Sequence, residues 1–229
     1  TVALGLLKGL PELEFSQALG VAATQAAGWR LQFGSDVKPF HVGLAARQAV
    51  ESINFVTYGL TGNDDAIFDH NGLGKMLGKN FSYESFTKLF GHWFMVHPGM
   101  WFKQYGYCSA ASRAVDAATY IHDENQIKEE NIEKVSISFQ SGRDSALRYV
   151  IPKNKLEAKF SSEYLVWRAL TGRSLNIEDG PIESDIAQRL SIFQRVIHKN
   201  DIGPLNSIVT VTMKSKIVYQ KQIFNPKGS

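Results

Sequence analysis

The sequence predicts an α+β fold, in which a helical region precedes a smaller region of strands and helices. Two observations predict it. Through the first half of the 229-residue chain, apolar residues recur at the three- and four-residue spacing of a buried helix face. After the polar run 123–133, apolar and polar residues alternate with period two, which is typical of half-buried strands.

Several segments of the first region have helical spacing or composition. They are residues 1–10, 15–29, 39–58, 81–90 and 108–121. The clearest is the third, because apolar residues from Val42 to Val56 keep one face and Gly59 follows where a helix should end. Residues 1–10 look like the end of an amphipathic helix and therefore need a partner that buries their apolar side chains.

The second region begins where Val135, Ile137 and Phe139 alternate with polar residues. Its remaining elements are a predicted strand at 146–151, predicted helices at 161–170 and 183–196, and a predicted hairpin formed by 207–213 and 217–224. The hairpin is expected to turn at Lys214-Ser215.

Composition excludes several classes of protein. The chain has 25 Lys and Arg against 22 Asp and Glu, and the net charge of +3 forms no basic stripe, so we expect no nucleic acid partner. The single cysteine excludes an internal disulfide and a cysteine-based zinc site. The longest apolar runs are too short to span a bilayer, and no secretion signal opens the chain, so we expect no membrane partner and a cytoplasmic location.

Three familiar catalytic patterns are not matched. Residues 72–78 (GLGKMLG) fit neither the dinucleotide-binding nor the P-loop pattern, which favours a plain loop. His92 and His97 stand five positions apart and lack the spacing that places two imidazoles on one helix face, so we predict no metal. The chain has no G-x-S-x-G turn, and Cys108 has no adjacent histidine in sequence.

The start of the third helix is a candidate binding site for a carboxylate. Pro39 suits a first helical turn, which would place Lys38 at the cap and His41 in the first turn. Backbone N–H groups, the positive end of the helix dipole and the lysine would then converge on one point. The alternative is that Lys38 is solvated and His41 packs against its neighbours.

The same segment opens a resemblance to a known family, the MmgE/PrpD family. Four regions in one order carry it: residues 38–46 (KPFHVGLAA) after Phe33-Gly34, residues 58–62 (YGLTG), residues 103–108 (KQYGYC) with 113–117 (RAVDA), and residues 157–164 (EAKFSSEY). The chain resembles the carboxy-terminal half of such a protein.

The resemblance implies a domain organisation and a chemistry. It assigns residues 1–90 to part of the family's all-helical domain and residues 91–229 to its smaller α+β lid domain. Family members include 2-methylcitrate dehydratase, iminodisuccinate epimerase and cis-aconitate decarboxylase, so it implies reactions beside a carboxylate with no metal and no organic cofactor.

The resemblance also implies site residues. Lys38 and Lys103 match lysines of the family's site, Cys108 falls where some members have a histidine, and Tyr164 matches a site tyrosine. We therefore predict Lys103, Cys108 and Tyr164 as catalytic residues, and Lys38 and His41 as substrate-binding residues.

Two departures from the family pattern affect this prediction. Ala111-Ser112 stands where many members have Thr-His, and Gln104 replaces a proline, so a proton-transfer histidine is missing from its usual place. Family members are also longer, and their amino-terminal half supplies further acid–base and binding residues. We therefore expect the chain alone to be inactive.

Three functions remain open from the sequence. The leading hypothesis is part of a lyase of the dehydratase type, which acts on a small di- or tricarboxylate such as 2-methylcitrate. The first alternative is an isomerase of the iminodisuccinate-epimerase kind, and the second is a non-catalytic remnant that serves as an assembly partner. In each case we expect a second chain, either another copy in a homodimer or a polypeptide that carries the amino-terminal half.

Overall fold

The structure is a computed structural model and describes residues 1–78, 81–177, 182–198 and 206–228. It has the predicted α+β fold and divides into two compact units. The first unit contains Thr1–Gln32 and Asp36–Gly99, and the second contains Phe33–Ser35 and the chain from Met100 onward. The family domain bounds, 1–90 and 91–229, stay a prediction, because compactness does not test them.

The first unit is helical, as its apolar spacing predicted. Its helices are α1 (Val2–Lys8), α2 (Glu12–Thr24), α3 (Val37–Thr57), α4 (Leu73–Leu77) and α5 (Tyr83–Thr87). Helix α1 ends at Gly9, which takes the left-handed conformation that glycine adopts without strain. Among the described residues of the whole chain, no helix has the length and apolar character needed to cross a membrane.

The first unit has a very small hydrophobic core. Its buried apolar cluster consists of Ala18, Ile53 and Val56, with a few half-buried neighbours. Large apolar side chains remain open instead: Leu7 of α1 is 83% exposed and Tyr58, which follows α3, is 87% exposed. Where such exposed apolar side chains adjoin one another, they mark interaction sites in soluble proteins.

The second unit is built on a four-stranded mixed sheet. Its strands are β1 (Ile132–Gln140), β2 (Phe193–His198), β3 (Ser207–Met213) and β4 (Val218–Ile223), in the order β2-β1-β3-β4. Strand β1 pairs in parallel with β2 and antiparallel with β3, and β3 pairs antiparallel with β4. The predicted strand at Val135 and the predicted hairpin are confirmed.

Helices complete the second unit around one large core. They are α6 (Ser112–Asn125), α7 (Lys155–Ala158), α8 (Ser162–Leu170) and α9 (Ile186–Leu190). Alternate residues of β1, Val135, Ile137 and Phe139, are almost fully buried in this core, as their spacing predicted. Helix α6 packs against β3, β4 and α8.

Two predicted elements of this unit are wrong. Residues 146–151 form no strand, because Leu147 closes a turn onto the carbonyl of Asp144 and the Tyr149 N–H bonds the carbonyl of Phe160. Residues 183–196 are not one helix, because the chain leaves α9 after Leu190 and pairs along β1 as strand β2. Tertiary pairing therefore overrides the local helical pattern there.

A buried ion pair joins helix α8 to strand β2. The side chain of Glu163 is 1% exposed, and its two carboxylate oxygens accept from Nε and Nη2 of Arg195 at 3.0 and 2.8 Å. Arg195 also donates to the carbonyl of Leu147 at 2.6 Å. Bidentate geometry and the further partners offset the cost of burying both charges.

We predict that Glu163→Gln lowers the free energy of unfolding by about 2–3 kcal/mol, because Arg195 loses its bidentate carboxylate and keeps only the longer carboxylate contact with Asp144 at 3.4 Å. Urea unfolding at neutral pH measures this loss. The matched control is Glu133→Gln, which breaks an exposed pair with Lys216 at 2.7 Å and should cost less than about 1 kcal/mol. Equal losses for the two variants would contradict the assigned role of Glu163.

Candidate active site

The motif segment around Lys38 begins in the second unit. The Phe33 ring packs against the ring of Phe160 with centroids 5.7 Å apart, and the Phe33 carbonyl accepts from the Tyr149 hydroxyl at 3.4 Å. Gly34 follows with a φ of +88°, and a Cβ there would overlap the Tyr149 ring. The aromatic-glycine pair therefore docks the chain at a place where only glycine fits.

The structure corrects the predicted cap of helix α3. Asp36 is the N-cap residue and already has helical angles, φ −64° and ψ −17°, so the helix begins at Val37 and Lys38 lies inside its first turn. Lys38 and His41 are three positions apart, which places them on neighbouring positions of one helix face. His41 is half-buried and lies beside Gly28, where an added Cβ would be 3.5 Å from the imidazole Nδ1.

Lys103 lies at the surface of the second unit and lines two adjacent clefts. The first is lined by Lys103, Gln104, Tyr105, Tyr107, Ser112, Asp116 and Lys227. The second is lined by Trp101, Phe102, Lys103, Ser109, Ser112, Pro226, Lys227 and Gly228. Lys103 is exposed, so its ammonium group is available to a ligand from solution.

The floor of the first cleft holds a partly buried carboxyl group. Burial raises the pKa of Asp116, and a hydrogen bond from the Lys227 backbone N–H at 2.8 Å, together with the Lys227 charge, partly offsets this rise. Burial also raises the pKa of Tyr107, and the negative charge of Asp116 adds to this rise. The Tyr107 ring stacks on Tyr105 with centroids 5.9 Å apart. Asp116, Tyr107 and Lys103 thus line one small cleft.

Cys108 lies in the hydrophobic core of the second unit. It is 8% exposed, and its backbone N–H donates to the carbonyl of Lys159 at 2.9 Å. The thiol therefore lies among apolar core side chains and is largely closed to a ligand from solution. Its position just before helix α6 nevertheless places it between the Lys103 loop and the helix that carries Asp116.

Tyr164 lies in the same core as Cys108, and its hydroxyl is held by two charged side chains. The hydroxyl donates to Oε2 of Glu183 at 3.0 Å and accepts from Nη1 of Arg168 at 2.9 Å. Burial raises the pKa of Tyr164, although the Arg168 charge lowers it. The structure therefore brings Cys108 and Tyr164 into one core and places Lys103 at the surface of the same unit.

A second ionic cluster surrounds Glu129 on the other end of helix α8. Glu129 accepts from the Trp167 indole N–H at 2.9 Å and pairs with Arg189 and Arg173. Burial raises the pKa of Glu129, but the hydrogen bonds from Trp167 and Arg189 outweigh this effect, so the pKa lies below its usual range. These pairings join helix α8 to α9 and indicate a structural role, although the buried Nε of Arg189 has no hydrogen-bond partner among the described residues.

No group of three or more metal-ligating side chains occurs within the described ranges, which end at residue 228. His92 and His97 are both exposed at the surface of the first unit. The clefts beside Lys103 therefore remain the best candidate for chemistry.

Sequence reasoning missed four residues of this region. Asp116 was part of the motif at residues 113–117 but was assigned no role. No local sequence pattern pointed to Lys227, because its contact with Asp116 joins positions 111 apart. No local pattern pointed to Glu183 either, although both Glu183 and Arg168 hold the Tyr164 hydroxyl. Arg168 lies four positions after Tyr164 on a helix, and this spacing could have indicated contact.

Comparison with known proteins bears on these observations. Residues 1–85 match a family model described as the MmgE/PrpD N-terminal domain. The chain is also 25% identical over 179 residues to the cis-aconitate decarboxylase of Mus musculus. This match covers 74% of the chain but only 36% of the mouse protein, so the chain spans about a third of the length of that relative.

We predict that Tyr164→Phe lowers the free energy of unfolding by about 1–3 kcal/mol, because two charged groups lose their hydrogen bond. Thermal or urea unfolding measures this loss. Tyr219→Phe is the matched control: Tyr219 is half-buried and its hydroxyl has no hydrogen bond within the described residues, so about 0.5 kcal/mol or less is expected. A Tyr164 variant as stable as its control would show that the hydroxyl is not held as described.

Proposed function

We propose, from the membership of this chain in the MmgE/PrpD family, that it forms part of a cofactor-independent lyase that acts on a small di- or tricarboxylate. The proposed reaction begins with removal of a proton next to a carboxylate, as in a dehydratase of 2-methylcitrate. The mouse relative is named for decarboxylation of cis-aconitate, an unsaturated tricarboxylate, which favours a substrate of this class.

The observation that carries the proposal is the exposed Lys103 at the rim of a cleft with polar side chains. Removal of a proton beside a carboxylate builds an enediolate, whose two oxygens share the extra negative charge. A fixed ammonium group directed at those oxygens stabilises this charge more than it stabilises the substrate. Lys103 is the residue proposed for this role.

Lys38 and His41 are proposed to bind a carboxylate of the substrate. Both lie in the first turns of α3, where the helix dipole favours an anion. Cys108 and Tyr164 stay proposed catalytic residues. Both are buried in this structure, so Lys103 is the residue whose exposure supports the proposal most directly.

The proposal is tested by incubation with candidate acids in deuterated water, with the protein purified through a tag on this chain so that a partner stays bound. An unsaturated product from 2-methylcitrate is expected. Solvent deuterium in recovered iminodisuccinate without elimination would instead indicate the isomerase. Lys103→Met and Lys38→Met should each reduce the rate at least about tenfold through loss of a charge-assisted contact.

The control for the lysine variants is Lys153→Met. Lys153 is exposed and its hydrogen bond to Glu157 comes from the backbone N–H, so the substitution removes charge and keeps local structure. Normal turnover by both the Lys103 and the Lys38 variant would overturn their assignment. Absence of deuterium exchange and of product with every acid would favour the non-catalytic assembly partner.

We also propose that a second chain covers the apolar face of the first unit. Among its described residues, this unit buries a core of only Ala18, Ile53 and Val56, which is too little apolar area to offset the entropy of ordering its helices. The proposed partner is a helical polypeptide that supplies further helices of the family's N-terminal domain, because the family model of that domain matches residues 1–85 here.

Amide hydrogen exchange on the purified chain alone tests this proposal. Amides of α2 and α3 should exchange far faster than those of α6 and β1, because local stability follows the buried apolar contacts of each unit. A monomer with slow exchange in α2 and α3 would contradict the need for a partner. Slow exchange that appears only in a homodimer would assign the covering role to a second copy.

A further inference from the structure

The C-terminal segment, residues 224–228, packs against the loop that carries Lys103. We call this segment the C-terminal strap. Its residues Pro226, Lys227 and Gly228 form one side of the second cleft, and Trp101, Lys103 and the serines at the start of α6 form the other. The strap therefore closes a cleft that the Lys103 loop alone would leave open.

Three hydrogen bonds fix the backbone of the strap. Arg113 Nε donates to the carbonyl of Phe224 at 2.8 Å, and the Lys227 N–H donates to Oδ2 of Asp116 at 2.8 Å. The Phe102 N–H donates to the carbonyl of Gly228 at 2.9 Å. Two anchors come from helix α6 and one from the residue before Lys103, so the strap and the loop hold each other in register.

Packing fixes the strap as well. Pro226 is buried, whereas most prolines in folded proteins are exposed. Gly228 has a φ of +86°, and a Cβ there would overlap the carbonyl oxygen of Phe102. The Arg113 guanidinium lies over the Trp101 ring at 5.6 Å from its centroid. Backbone and side chains thus place the strap in one position.

Only the backbone of Lys227 is used as an anchor. The residue is exposed, and both Lys227 and Lys103 line the two clefts. Two lysines and Ser112 therefore line the same clefts. The one carboxylate there, Asp116, already accepts the Lys227 N–H.

We infer that Lys227 is a second carboxylate-binding residue of the Lys103 clefts and that the C-terminal strap places it there. This inference rests on the proposed function and extends it, since nothing in the motif resemblance assigns Lys227. Two cations at one cleft suit a ligand with at least two carboxylates, because each ammonium can pair with a different group. Asp116 and Arg113 are positioning residues, which act by holding the strap.

Citrate binding to the full chain tests the inference, measured by calorimetry at low salt. Lys227→Met should weaken binding about tenfold through loss of one charge-assisted contact, and Lys103→Met should do the same. The melting temperature without citrate should not change in Lys227→Met, because the backbone anchor remains. Lys153 lines neither cleft, so Lys153→Met should bind citrate like the unmodified chain.

A second comparison tests whether the strap places Lys227. Asp116→Ala removes the acceptor of the Lys227 N–H and should weaken citrate binding, even though it also removes a negative charge from the clefts. If the strap positions Lys227, the double variant Asp116→Ala/Lys227→Met should bind citrate hardly more weakly than Lys227→Met alone. Additive losses would overturn the positioning role of Asp116.

Two results would overturn the assignment of Lys227. The first is normal citrate binding by Lys227→Met while Lys103→Met is weakened, an outcome that leaves the proposed function intact. The second is no saturable citrate binding by the unmodified chain. The proposed function is then decided separately by the deuterium experiment, which detects turnover and does not depend on Lys227.

Discussion

The buried pair of Glu163 and Arg195 is the interaction on which the second unit depends. It fastens α8 to the edge strand β2, and the same arginine holds the turn at Leu147. Tyr164 is the next residue on α8, so the pair anchors the helix turn from which its ring projects, while Glu183 and Arg168 hold its hydroxyl. A charge pair inside the core permits few alternative registers, because a slip would break the bidentate contact and leave the Glu163 carboxylate buried without a cation.

The two units of the chain differ in how they are stabilised. The second has a continuous core of sheet and helices, and its polar clefts lie on a rigid support. The first has helices with little to pack against, although it carries Lys38 and His41. Residues 1–85 match a model of the MmgE/PrpD N-terminal domain, and the difference would follow if the first unit were one portion of a larger helical domain.

The sequence predicted those features that depend on local pattern. The α+β class, strand β1, the hairpin and helix α3 follow from periodicity and turn residues, and the family resemblance follows from motifs such as residues 38–46. It failed at residues 183–196, where pairing with β1 converts a helical pattern into strand β2. It could not place Lys227 beside Asp116, because contacts between distant positions leave no periodic trace. The burial of Cys108 and Tyr164 likewise depends on tertiary packing.

The C-terminal strap has a consequence for the order in which the protein matures. Contacts of the strap join residues 111 positions apart, from Arg113 and Asp116 to Phe224 and Lys227. During synthesis, the Lys103 loop and α6 leave the ribosome long before the strap does. The clefts can therefore take their final form only after translation of residue 228, and ribosomes that stop early would release chains with an open, incomplete cleft.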